Sequence, residues 1–152
     1  MGGICVPVFQ DSAALYNILG GFFDTRVRFT EEAHLIHQVG GPILFVFEEP
    51  AAQICWVPVE SGREAPFELA LDGQGPSPLL TFRQSGDTAH RFWHGGLDLQ
   101  QALARQQVRA QGPLSRAMKL LPHLDAIYPL YADYLQAVGR GDLVLPAHGG
   151  GR

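Results

Sequence analysis

The chain predicts an α/β domain of the α+β type, a twisted sheet covered on one face by helices. Three observations carry this expectation. Apolar residues recur at helical spacing at both ends, a block of short strand-like runs lies between positions 43 and 83, and Gly or Pro marks most junctions between them. The 152 residues correspond to one domain, because single domains cluster near ~100 to 150 residues. With 46% hydrophobic and 17% charged residues the composition is globular, which excludes disordered, collagen-like and disulfide-scaffold classes.

Leu15, Ile18, Leu19 and Phe22 stand at i, i+3, i+4, i+7 within residues 11 to 23, a helical stripe that Asp11 or Ser12 can cap and that Gly20-Gly21 weakens at its end. Thr30, followed by Glu31-Glu32, opens a second short helix through Ala33, Ile36 and Val39, stopped by Gly40-Gly41. Ile43 to Phe47 is a continuous apolar run, and Gln53 to Val59 is rich in branched and aromatic residues, so the two suit a hairpin. Ser61-Gly62 turns the chain, Phe67, Leu69 and Leu71 alternate with polar or small residues, and Leu79 to Arg83 is a fourth strand. These runs predict a mostly antiparallel sheet with one face free for helices.

Asp87 can cap a helix burying Ala89, Phe92 and Trp93 that ends at Gly95-Gly96, and Asp98 caps the next, which buries Leu99, Ala102 and Leu103. Gln107 to Gln111 is a short strand. Gly112-Pro113 starts a helix carrying Leu114, Ala117, Met118 and Leu121. Beyond Pro122, Leu124, Ile127, Tyr128, Tyr131, Leu135 and Val138 continue one apolar face, which Pro129 is expected to kink or divide.

Charge and chemistry narrow the function. The net charge of −4 disfavours general nucleic-acid binding, which normally rests on a basic surplus. Cys5 and Cys55 lack CxxC spacing and read as buried, reduced thiols of a cytoplasmic protein. No run reaches a membrane span, and the N-terminus lacks the pattern of a secretory signal. No nucleophile elbow, phosphate-cradling loop or dinucleotide fingerprint is present. His34 with His37, and His90 with His94, could each present two imidazoles together, but neither pair has a third ligand nearby, so solvated helix-face histidines are expected and no metal. Glu48-Glu49 on a strand point to opposite faces and are expected to be solvated rather than to share a proton.

The excess is apolar. Tyr128, Tyr131 and Tyr134, with Leu124, Ile127 and Leu135, form an aromatic stripe that suits a core or the wall of a concave apolar site. From Arg83 to Lys119 six basic residues face only Asp87 and Asp98. That segment is either a solvated mixed surface or a basic face for anionic headgroups or an acidic partner.

Residues 87 to 124, DTAHRFWHGGLDLQQALARQQVRAQGPLSRAMKLLPHL, resemble the signature region of the sterol carrier protein type 2 lipid-transfer family. Asp87, Phe92, Gly95, Ala102, Gly112 and Ala117-Met118-Lys119-Leu120 stand where that pattern has them, and the strand block with Phe45, Phe47 and Trp56 is similar too. The likeness covers roughly residues 12 to 135. The sequence departs from it at Gln106-Gln107, where many members have a Gly-Lys turn, and at Pro129.

The resemblance implies a mixed, five-stranded twisted sheet covered on one face by helices, with an apolar tunnel between them. Residues 1–146 would form one sterol-carrier-like domain and 147–152 a flexible Gly-rich tail. The implied function is non-catalytic binding or transfer of a lipid or other hydrophobic small molecule of sterol, fatty acyl or isoprenoid type, without a cofactor. The wall would be Phe92, Trp93, Leu99, Leu103, Met118, Leu121, Ile127, Tyr128 and Tyr131, over the sheet-face aromatics Phe47, Trp56 and Phe82. Residues 123 to 138 would act as its lid. Transient contact with a membrane surface or with partner enzymes is implied as well. Two alternatives stay open: an accessory protein presenting a hydrophobic intermediate to partner enzymes, and a small enzyme acting on a hydrophobic substrate in the same tunnel.

Overall fold

The computed structural model describes residues 7–60 and 65–145. Cys5, the Ser61-Gly62 turn and the tail 147–152 fall outside them.

The N-terminal helical run opens at α1 (Ser12–Leu15), capped by Asp11, whose carboxylate accepts from the Ala14 N–H at 2.8 Å. It passes through a π turn at Tyr16–Gly20 into α2 (Gly21–Thr25). Gly20-Gly21 therefore does not end the helix. The glycine at 21 instead admits the Tyr134 ring, whose hydroxyl would lie 2.2 Å from a Cβ there, and that hydroxyl donates to the Asn17 carbonyl at 3.1 Å. Leu15, Ile18, Leu19 and Phe22 are all buried, as their spacing predicts. Two 3-10 turns, Val27–Phe29 and Glu31–Leu35, lead into α3 (Ile36–Val39), which Gly40 closes with a left-handed φ of 95°.

Five strands follow in one sheet: β1 (Ile43–Glu48), β2 (Ala51–Pro58), β3 (Phe67–Leu71), β4 (Leu80–Gln84) and, later, β5 (Val108–Gln111), in the order β3-β2-β1-β4-β5. Neighbours are antiparallel except β1 and β4, which are parallel, so the sheet is mixed. Because β3 and β4 run the same way, the chain must travel back along the sheet before β4 begins. The loop 73–78 makes that return over the outer face, beside Leu44, Gln53, Cys55 and Ala70, and Cys55 is buried beneath it as a free thiol.

Register decides which face is the core. Ile43, Phe45 and Phe47 pair with Trp56, Ile54 and Ala52 on one side and with Leu80, Phe82 and Gln84 on the other. With a side-chain period of two, all nine share one face. The helices pack there: Phe23 of α2 stands edge-on to Trp56 at 5.0 Å and to Trp93 at 5.2 Å.

The second helical half departs from expectation in two places. Ser85, not Asp87, caps α4 (Gly86–Trp93), its hydroxyl accepting from the Thr88 N–H at 3.1 Å, while Asp87 accepts from the Val8 N–H at 2.9 Å and ties the N-terminal segment to the helix start. Asp98 caps α5 (Leu99–Ala104) through the Gln100 and Gln101 N–H groups, and α6 (Leu114–Met118) follows β5. Then come a 3-10 segment (Leu121–Ala126), α7 (Tyr128–Ala137) and a last 3-10 turn (Gly141–Leu143). Pro129 lies in the first turn of α7, where a missing N–H costs nothing, so it starts the helix and does not kink it.

Candidate functional site

Three small apolar cavities lie in a row between the core face of the sheet and the helices. The first, about 50 Å³, is lined by Phe45, Phe82, Gln84, Ala89, Phe92, Trp93, Leu99 and Val108. The second, about 70 Å³, shares Phe45, Phe82, Phe92, Trp93 and Leu99 with it and adds Ile43, Trp56, Ala117, Leu120, Leu121 and Leu124. The third, about 30 Å³, continues from Trp56, Leu120 and Leu124 to Val27, Phe67 and Ile127, with Glu32 and His123 at its margin. A drug-sized ligand site holds ~300 to 1,000 Å³. Each cavity is therefore too small for such a ligand, and the row is a line of small voids where a tunnel was expected.

Seven of the residues expected as wall line this row: Trp56, Phe82, Phe92, Trp93, Leu99, Leu121 and Ile127. The other five stand elsewhere. Phe47 is buried beyond the first cavity, opposite Gln84 in the β1–β4 register, and Leu103 and Met118 are half-buried on α5 and α6. The Tyr128 ring meets Phe92 edge-on at 5.8 Å and lies over Gly95, where a Cβ would come within 2.9 Å of it. Tyr131 is fully buried against Phe22 and His90. Sequence reasoning left Phe45, Gln84, Leu120 and Leu124 out of the wall. Phe45 could have been included, since it stands two residues from Phe47 on the same strand face. Gln84 gave no such signal, because a polar residue at a strand end reads as solvated.

The histidine pair on α4 is not solvated. His90 is only 1% exposed. Its Nε2–H donates to the Leu143 carbonyl at 2.8 Å, which leaves Nδ1 to accept from the Tyr131 hydroxyl, also at 2.8 Å. His94 donates from Nδ1 to the His90 carbonyl at 2.9 Å and accepts the Leu145 N–H at Nε2. Burial and, next, the neighbouring His94 imidazole lower His90 to about 4, against the smaller upward pull of the Leu143 bond and Asp87. Burial likewise pushes the Tyr131 hydroxyl far up. The pair holds the last described segment against α4, and none of the three cavities reaches it. The other pair is exposed, and His37 Nε2 donates to the Val59 carbonyl at 2.9 Å. Among the described residues no three His, Cys, Asp or Glu side chains come together as a metal set.

The charged segment does not gather on one side. Arg83 and Arg109 lie opposite each other in register on the outer sheet face, where Arg109 pairs with Glu48 at 2.7 Å, whereas Arg91 is exposed on α4, on the other side of the sheet. No described helix is long and apolar enough to cross a membrane.

No family model matches the chain, and no curated protein matches it. Solved structures do. Sterol carrier protein 2 from Yarrowia lipolytica, in its apo form, is 12% identical and superposes with a TM-score of 0.52 over 82% of this chain and 96% of that one. The sterol carrier protein domain 2 of Helicoverpa armigera is 21% identical, with a TM-score of 0.49 over 85% of this chain and 95% of its own. The stereoselective inverting sec-alkylsulfatase Pisa1 from Pseudomonas sp. matches 62% of this chain at 16% identity and a TM-score of 0.49, and the match spans only 14% of the sulfatase. The five-stranded mixed sheet with its one-sided helical layer is thus the sterol carrier protein 2 fold. At these identities the likeness is one of fold.

Proposed function

We propose that the chain binds and carries a hydrophobic small molecule, without turnover, between the sheet and its helical layer. The observation that supports this is the row of contiguous apolar cavities walled by Phe45, Trp56, Phe82, Phe92, Trp93 and Leu99. Their role is desolvation. Each buried methylene contributes ~0.8 kcal/mol, so about sixteen of them give ~13 kcal/mol, which after an association cost of roughly 5 kcal/mol leaves micromolar binding. A binding role without turnover fits the arrangement of titratable groups, since His90 and Tyr131 are engaged with each other and with Leu143 rather than with the cavities. A cytoplasmic carrier fits the free, buried Cys55 thiol. Loading and release would take place in transient contact with a membrane surface or a partner enzyme.

The test is native mass spectrometry of freshly purified protein, followed by titration with fluorescent sterol, fatty acyl and isoprenoid probes. A stoichiometric hydrophobic adduct, or saturable binding of at least one probe class, is the expected result. Protein that carries nothing and binds none of the three classes would overturn the proposal.

A further inference from the structure

Two polar groups interrupt the apolar walls of the first two cavities. Gln84 belongs to the core face by register, opposite Phe47, and is 9% exposed. It lines the first cavity among Phe45, Phe82, Phe92 and Trp93. Its side-chain amide has no hydrogen-bond partner among the described residues and keeps slight contact with solvent. Further along, Trp56 lines both the second and third cavities, and its buried Nε1–H has no acceptor among the described residues. A buried donor without a partner, as at Trp56, costs about 1 to 3 kcal/mol. A carboxamide on the core face that keeps only a little solvent can exchange it for a ligand oxygen at small cost.

The lining also says what that partner is. Both groups can donate a hydrogen bond to an oxygen. No Lys or Arg lines any of the three cavities, and the one charged side chain among them is Glu32, at the far margin of the third. A carboxylate or phosphate brought to Gln84 would be buried with no counter-charge, at several kcal/mol. A neutral oxygen carries no such cost. We propose that the cavity row recognises a neutral, oxygen-bearing hydrophobic molecule, a ketone, ester or alcohol, and that Gln84 is the residue that binds its oxygen. This inference rests on the binding reading above and specifies the ligand class for the same site.

The experiment compares decane, a mid-chain decanone and decanoate on the wild type and on Gln84→Leu, which keeps the side chain's bulk and removes its hydrogen bonds. The decanone should bind the variant about five- to tenfold more weakly than the wild type, while decane binds the variant as well or better. Without ligand, the variant should melt at or above the wild-type temperature, because an unpartnered amide has been replaced by an apolar group. A role confined to structure would give the opposite shift. A second readout needs no variant: in the wild type, the Gln84 side-chain amide protons should move in the nitrogen–proton spectrum on adding decanone and stay in place on adding decane. Equal loss of both ligands in Gln84→Leu, a lower melting temperature for it, identical amide shifts with both ligands, or tighter binding of decanoate than of decanone would overturn the inference and leave the binding reading standing. If no ligand binds the wild type, that reading falls and this one with it.

Discussion

Acid should weaken the fold through one imidazole, and the size of the effect follows from the His90 site. His90 sits near 4 in the fold against an ordinary 6.5, with burial the main cause. Because the folded value is lowered, the unfolded chain takes up the proton first as pH falls. The stability that neutral His90 provides is therefore complete above about pH 6.5 and is withdrawn between there and about 4. At about pH 4.5 the linkage amounts to about 2.5 kcal/mol. His90→Gln removes the titration and also breaks the Tyr131 and Leu143 bonds, so at neutral pH it should cost about 2 to 3 kcal/mol. The assay is urea unfolding of both proteins at a series of pH values. Every other ionisable group is common to both proteins, so the informative quantity is the gap between them. It should close as pH falls from about 7 to about 4.5. A gap that stays constant over that range would show that His90 is not held neutral by its surroundings, and would refute the reasoning from burial.

Two further outcomes follow from the packing. Hydrogen exchange with and without a long-chain lipid should show ligand protection concentrated in residues 117 to 127, because Ala117, Leu120, Leu121 and Leu124 roof the cavities while α7 is pinned through Tyr131 and Tyr134; protection greatest in 128 to 137 would point to the terminal helix as the lid instead. Gly112→Ala should destabilise the fold by about 2 to 4 kcal/mol in chemical denaturation, since Gly112 has a φ of 108° and a Cβ there would lie 2.3 Å from the Leu79 carbonyl oxygen; a loss under about 0.5 kcal/mol would mean the β4–β5 approach is looser than described.

The order of elements was legible because each has a local cause. Alternating Phe67, Leu69 and Leu71 can only be a half-buried strand, and Asp98 before Leu99 is a cap by side-chain chemistry alone. What the sequence withheld was decided at a distance. Gly20-Gly21 looks like a helix end until Tyr134, more than a hundred residues away, is seen to need the space beside Gly21. Pro129 looks like a break until the 3-10 segment before it is seen to end at Ala126, which leaves the proline in a first turn. The pairing of β1 with β4 in parallel depends on a crossover that no local pattern encodes.

The wall of the site was half legible for a related reason. Aromatic residues on one strand face and on one helix stripe identify which surfaces meet, and Trp56, Phe82, Phe92 and Trp93 follow from that. Which of the remaining apolar residues border empty space, and which are packed solid, depends on tertiary fit, so Tyr131 went into the core with His90 while Leu124 took its place over the cavities. The same fit explains why the cavities are small. Voids of about 30 to 70 Å³ leave the roof in contact with the sheet, which preserves the unliganded core; a ligand of several hundred Å³ must then lift the roof to enter. The roof is a five-residue helix and a 3-10 segment, short elements with few backbone bonds to break, whereas α7 is ten residues long and tied by two tyrosine hydroxyls. The weaker of the two is the one that can move without unfolding the domain.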